Sequence, residues 1–381
     1  MNSRQRLMTV LEGHIPDRVP VAPFVQDEYL SYYYPRKRHV DRVIDALELA
    51  RELDFDLIAK HRKFETAHFL KKSFPNWELS RSAYRENGMQ VTQTTIATPV
   101  RVLKQEVVTP ESGVATSGVH ATIRKHLLSS AKDIEVFMEY VPPPDDETIR
   151  EMHDAAREWR TLMGDDGILA PWGWAGVFNA AADLRGIENL MMEPYMDEDL
   201  YVAFMDCITN LQCSYNQHLA ETAIECVGIQ AHMANSGTVS AAYYRDYVLP
   251  YEKKLVSAIH TAGKKTVFHN CGPAGTLYPC YREMGMTLWE TVSAEPQGDN
   301  DLAKAKAELG DAVCLLGNLD QINFLKKASP EEVDAATRRI VSIGKPGGRY
   351  IFSTSDFLEK DTPLENVKAM IKAAREAGGY S

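Results

Sequence analysis

A histidine and a cysteine one residue apart, His269-Asn-Cys271, are the first residues of this 381-residue chain that point to chemistry. They follow Lys265-Thr-Val-Phe268, which reads as a short buried strand, and Gly272-Pro273 breaks the run. Alternate residues of a strand face the same side, so an imidazole and a thiol meet at one point. Neutral imidazole and thiolate are ligands that zinc prefers. The plainer alternative is a core histidine beside a buried free cysteine, and the pair alone does not separate the two.

Position adds weight to the metal reading, because the chain is full of such strands. Short apolar runs begin at Asp17, Asp56, Ile168, Val227, Thr266, Thr287, Ala312 and Tyr350, and helical patterns alternate with them. Helix starts are signposted by Ser329-Pro-Glu-Glu332 and Thr362-Pro-Leu-Glu365, which read as capping boxes with proline at the first helical position. Strands alternating with helices imply a parallel sheet. Eight such units predict a (β/α)8 barrel, and the Gly-x-Gly-x-x-Gly opening of a doubly wound sheet is missing. Residues 62 to 160 break the rhythm with β-rich runs at 92–98, 100–108 and 120–126 and a turn at Gly113–Gly118. They read as an excursion inserted after the second strand of one domain spanning 1–381.

In such a barrel, function sits where strands end. The polar residues there are His232, His269, Cys271, Glu290, Asn318, Asp320, Ser355 and Asp356. Asp356 and Glu290 are the oxygen donors that could complete a zinc site with His269 and Cys271. Glu290 and His232 are also acid/base candidates, with a wall carboxylate and a core histidine as their alternatives. Trp172, Trp174 and Phe178 follow the third strand and offer an apolar rim for a flat substrate. Tyr32–Tyr34 and Tyr243-Tyr244 could extend that rim. Cys207, Cys213, Cys226, Cys280 and Cys314 read as core.

Composition excludes several function classes. The net charge of −11 disfavours nucleic acid and anionic membranes as partners. The six cysteines show no secreted-framework spacing. No apolar run approaches the roughly 20 residues that span a bilayer, and the N-terminal residues lack a signal-peptide pattern. A cytoplasmic protein is the expectation, with a homodimer left open.

Several pieces together resemble the uroporphyrinogen decarboxylase superfamily, and within it the zinc-dependent, corrinoid-linked methyltransferases. They are Arg4-Gln-Arg-Leu7, Gly13-His-Ile-Pro-Asp-Arg-Val-Pro-Val21, Tyr247-Val-Leu-Pro-Tyr251, Ile259-His-Thr-Ala-Gly-Lys264, His269-Asn-Cys-Gly272, Gly317-Asn-Leu-Asp320 and Asp361-Thr-Pro-Leu-Glu-Asn366. They run in order over almost the whole chain. The resemblance implies a (β/α)8 barrel and zinc held by His269, Cys271 and a third ligand six residues before Thr362, where this chain has Asp356 in place of cysteine. It also implies methyl transfer between a small-molecule donor or acceptor and the cobalt of a corrinoid (methylcobalamin). The chain has no Asp-x-His-x-x-Gly segment, so the corrinoid is expected on a separate partner protein. True uroporphyrinogen decarboxylases carry an arginine-rich segment after the first strand. Here Phe24-Val-Gln-Asp-Glu-Tyr29 is acidic, which disfavours a polycarboxylate. A zinc with fewer thiolates is harder and more Lewis-acidic, which points to O-demethylation of a methoxylated compound. The rival readings are a metal-free decarboxylase and a non-catalytic corrinoid or tetrapyrrole binder.

Overall fold

The computed structural model describes residues 1–37, 39–110 and 121–380. Barrel strands β1 (Leu57–Ala59) and β6 (Gly167–Leu169) pair in parallel. Strands β7 (Cys226–Gln230), β8 (Lys265–His269), β9 (Leu288–Val292), β10 (Cys314–Leu319) and β11 (Tyr350–Thr354) form a second parallel ladder in chain order. A parallel bridge from Trp172 to Gly228 joins the two ladders. On the other side, Val21 bridges to Phe352, and the Asp56 amide donates to the Val21 carbonyl. The circuit is that of the eight-stranded barrel. Its first strand is reduced to this bridge because Pro20 and Pro23 flank it and have no N–H to give a ladder.

Between β1 and β6 the chain forms an antiparallel sheet of β2 (Glu78–Glu86), β3 (Met89–Ala97), β4 (Val102–Pro110) and β5 (Thr122–Lys125), in sequential order. The β-rich insertion is therefore present, whereas the turn expected at 113–118 lies outside the described residues. Helices 131–140 and 146–163 lead back to β6. The helical stretch before β7 consists of three helices, Val177–Arg185, Ile187–Met196 and Glu198–Ala220.

Helix Ser3–Leu11 closes the N-terminal end of the barrel. Asn2 and Gln5 form a capping box at its start. Its Leu7, Val10 and Leu11 join one buried cluster with Ile58, Ile168, Cys226, Val267, Leu288, Cys314 and Ile351, drawn from the strands around the ring. Each such aliphatic side chain contributes roughly 1.5–3 kcal/mol on burial. Beside this plug, Arg6 donates to Asp17 and Asp56, and Arg18 also pairs with Asp56. These pairs bind the first two strands to the helix and give the Arg4–Leu7 and Asp17–Arg18 motifs a structural role. Ser329 and Glu332 make the expected capping box. Thr362 does not: its helix starts at Leu364, Pro363 takes the cap position, and the Thr362 hydroxyl is buried without a partner.

The helix after β6 is held by a buried carboxylate. Glu252, 1 % exposed, accepts from the Phe178 amide at 3.0 Å, and its other oxygen has no partner. Burial raises its pKa to about 7, against the pull of the Phe178 and Val177 amides. A carboxyl group with a raised folded-state pKa supports stability fully below its ordinary 4.5, and that stability is lost as pH rises through about 7. Relative to Glu252→Gln, the native protein is therefore expected to lose roughly 3 kcal/mol between those limits. Urea unfolding of both proteins across the pH series checks it, and a constant difference would contradict the assignment.

Candidate metal centre and its cavity

β8 ends on His269, and the backbone alternates as the sequence requires. The His269 and Cys271 side chains face the barrel mouth, while Asn270 turns into the wall and donates to Tyr281 Oη and the Ala234 carbonyl. Gly272 follows at φ +89°, a left-handed conformation that suits glycine, and turns the chain off the strand. Asp356 reaches the same point from beyond β11. Ligand atoms of His269, Cys271 and Asp356 all lie within 4.8 Å of one another. His269 Nδ1 is buried without a hydrogen-bond partner. An imidazole, a thiol and a carboxylate converging on one point fit a zinc ion by the chemistry of the donor set.

Glu290 on β9 stands behind the histidine. It is wholly buried, and its Oε2 lies 3.6 Å from His269 Nδ1, also without a hydrogen-bond partner. Its Oε1 accepts from Lys60 Nζ, at the end of β1. Burial alone would raise the Glu290 pKa, but the Lys60 and His269 charges overcome it and hold the carboxyl below its ordinary value. Burial also works against a charged His269, yet Cys271, Glu290 and Asp356 hold its pKa well above the ordinary value. For Lys60 burial wins and its pKa falls, although Glu290 opposes this. Lys60 Nζ also sits 3.5 Å from the Phe24 ring centroid, a cation–π contact.

The cavity in front of these groups has a volume of about 380 Å³ and is walled by Phe24, Trp172 and Phe357. Phe24 and Trp172 meet His269 edge-on at 5.8 and 5.7 Å. Trp172 lies across Gly228, where a Cβ would come within 2.5 Å of its ring. His232 lines the same cavity, its ring 6.4 Å from His269. Asn179 Nδ2 approaches His232 Nδ1 at 3.4 Å. Burial, then the nearby His269, lowers the His232 pKa to about 4, so the ring is uncharged at neutral pH.

The expected site residues therefore divide. His269, Cys271, Asp356, Glu290, His232 and Trp172 come together. Trp174 packs into the core on Phe69, and Phe178 packs on Tyr243. Asp320 lines a separate cavity, where its Oδ1 caps the turn at Ile322 and Asn323 and accepts from Gln297. Tyr243 and Tyr244 are buried, and Tyr32–Tyr34 lie outside the cavity lining. Lys60, Phe24, Phe357 and Asn179 were missed. Lys60 and Phe24 each end an early strand run, the same signal that flagged His269.

Fold and site together define a (β/α)8 barrel with a three-ligand cluster at its C-terminal mouth. The family model described as uroporphyrinogen decarboxylase (URO-D) matches residues 94–377, and the chain belongs to that family. Among curated relatives, a methylated-thiol–coenzyme M methyltransferase of Methanosarcina mazei is 26% identical over 199 residues, 52% of this chain and 51% of that protein. A methylcobamide:CoM methyltransferase MtbA of the same organism is 25% identical, covering 52% and 56%. A uroporphyrinogen decarboxylase of Geobacter sulfurreducens is 24% identical, covering 71% and 78%. The chain spans about half the length of the methyltransferases it matches. A solved methyltransferase from Methanosarcina mazei superposes with a TM-score of 0.71 at 17% identity, covering 99% of each chain. No helix among the described residues is long and apolar enough to cross a membrane.

Proposed function

We propose that this protein is a zinc-dependent methyltransferase that moves a methyl group between a small methoxylated compound and the cobalt of a separate corrinoid protein. The observation that carries the proposal is the convergence of His269, Cys271 and Asp356 at the mouth of the barrel. Zinc bound there would act as a Lewis acid toward the heteroatom that bears the methyl group. Glu290 orients His269 and sets its proton, the usual work of a carboxylate behind a ligating histidine. Lys60 balances the Glu290 charge inside the barrel. Phe24, Trp172 and Phe357 exclude water and hold a flat substrate. His232, uncharged at neutral pH, offers a hydrogen bond without adding a positive charge.

Membership of the family is equally compatible with decarboxylation, but the local charges disfavour it. Arg42 and Arg62, which line the cavity, are paired with Asp27 and Glu65, so neither stands free to hold a polycarboxylate. The deciding experiment combines metal analysis with a transfer assay. Protein purified without chelators is expected to carry about one zinc per chain. It should also convert a reduced corrinoid protein to its methylated form, followed by the visible spectrum of cobalt, when supplied with methoxylated aromatics. Protein that carries no zinc and takes none up would refute the proposal.

A further inference from the structure

The cations around the cavity are paired with carboxylates, while the carboxylates of Glu28 and Asp356 have no ion-pair partner among the described residues. Arg42 donates to both Asp27 oxygens, at 2.7 and 2.9 Å. Arg62 is bonded to Glu65 at 2.6 Å, and Lys60 to Glu290. Glu28 also lines the cavity, and its Oε2 is buried with no hydrogen-bond partner. The Arg62 guanidinium feels the Glu28 charge but gives its hydrogen bonds to Glu65. The Glu28 carboxylate has neither an ion-pair nor a hydrogen-bond partner among the described residues, and a carboxylate on a cavity wall can accept from a donor on a bound ligand. The same carboxylate repels a ligand anion. The aromatic walls and the volume of about 380 Å³ suit one flat ring.

We propose that Glu28 selects the substrate by accepting a hydrogen bond from the hydroxyl group of an uncharged methoxylated aromatic, and that it keeps anionic analogues out. This rests on the methyl-transfer reading and names the substrate class within it.

The test is binding rather than turnover. Three probes of similar shape, 2-methoxyphenol, 1,2-dimethoxybenzene and 2-methoxybenzoate, are titrated into the purified protein by calorimetry, with intrinsic tryptophan fluorescence as a second readout. The phenol is expected to bind at least about ten-fold more tightly than either analogue, as a hydrogen bond to a charged acceptor allows. Glu28→Gln should narrow the gap to the benzoate, and Glu28→Asp should preserve it. Equal affinities in the native protein, no binding by any probe, or an unchanged preference in Glu28→Gln would overturn the proposal. Transfer measured on the same samples keeps the two readings apart. Lost preference with intact transfer condemns the Glu28 role alone, and intact preference without transfer condemns methyl transfer alone.

Discussion

Cys271→Ala is expected to yield a folded protein that has lost its zinc, from about one ion per chain to less than about a tenth. The residue is half-buried on the loop after β8, and its side chain faces the cavity instead of filling the core. Its loss therefore leaves little void. The contrast with the other cysteines sharpens the test. Cys226 and Cys314 are wholly buried among the side chains that meet the N-terminal helix, and Cys280 is buried under its own helix. Alanine at those positions should cost stability and leave the metal in place. His269→Ala should behave like Cys271→Ala, whereas Asp356→Cys should keep the metal, because thiolate is a good zinc ligand. Metal analysis beside circular dichroism and thermal melting distinguishes these outcomes. Zinc retained at full stoichiometry in both Cys271→Ala and His269→Ala would remove the site.

The second large effect is expected on stability. Lys60 and Glu290 are 3 % and 0 % exposed and bonded to each other. Lys60→Met leaves a carboxylate deep in the barrel without its counter-charge, at a cost of about 3–5 kcal/mol. Glu290→Gln strands the ammonium in the same way, and it also removes the group behind His269, which should weaken metal binding by about 10–100-fold. Exchanging both residues leaves no buried charge to compensate. The double variant is therefore expected to be markedly more stable than the sum of the single losses predicts, a coupling that a double-mutant cycle in urea measures. Strictly additive losses would show that the two groups act independently, against the geometry.

The parts of this site that could be read in advance were those fixed by strand periodicity. Alternation along β8 aims His269 and Cys271 together, and the barrel order brings Glu290, His232 and Asp356 to the same end. Aromatic side chains were less legible. Trp172 and Trp174 differ by one turn of the backbone, and only the first reaches the cavity, because Gly228 leaves room for its ring beside β7. Asp320 has the right residue type at the right strand end, yet its carboxylate is consumed by the amides of its own turn. Local hydrogen bonding of this kind competes with function for short acidic side chains. Lys60 was legible in principle, since it ends an early strand, but a lone lysine carries no ligand signature until its buried partner is known.

The helix over Ser3–Leu11 has one more consequence. With Leu7, Val10 and Leu11 it seals a barrel floor that strand side chains such as Ile58, Val267 and Ile351 already fill, so the cavity is a cup. Everything that reaches His269 and Cys271 enters and leaves past the same rim. A macromolecule seated on that rim would act as a stopper, trapping a small molecule already inside and barring one still outside. The order of arrival then becomes a property of the vessel's shape, and an excess of the large partner should slow turnover.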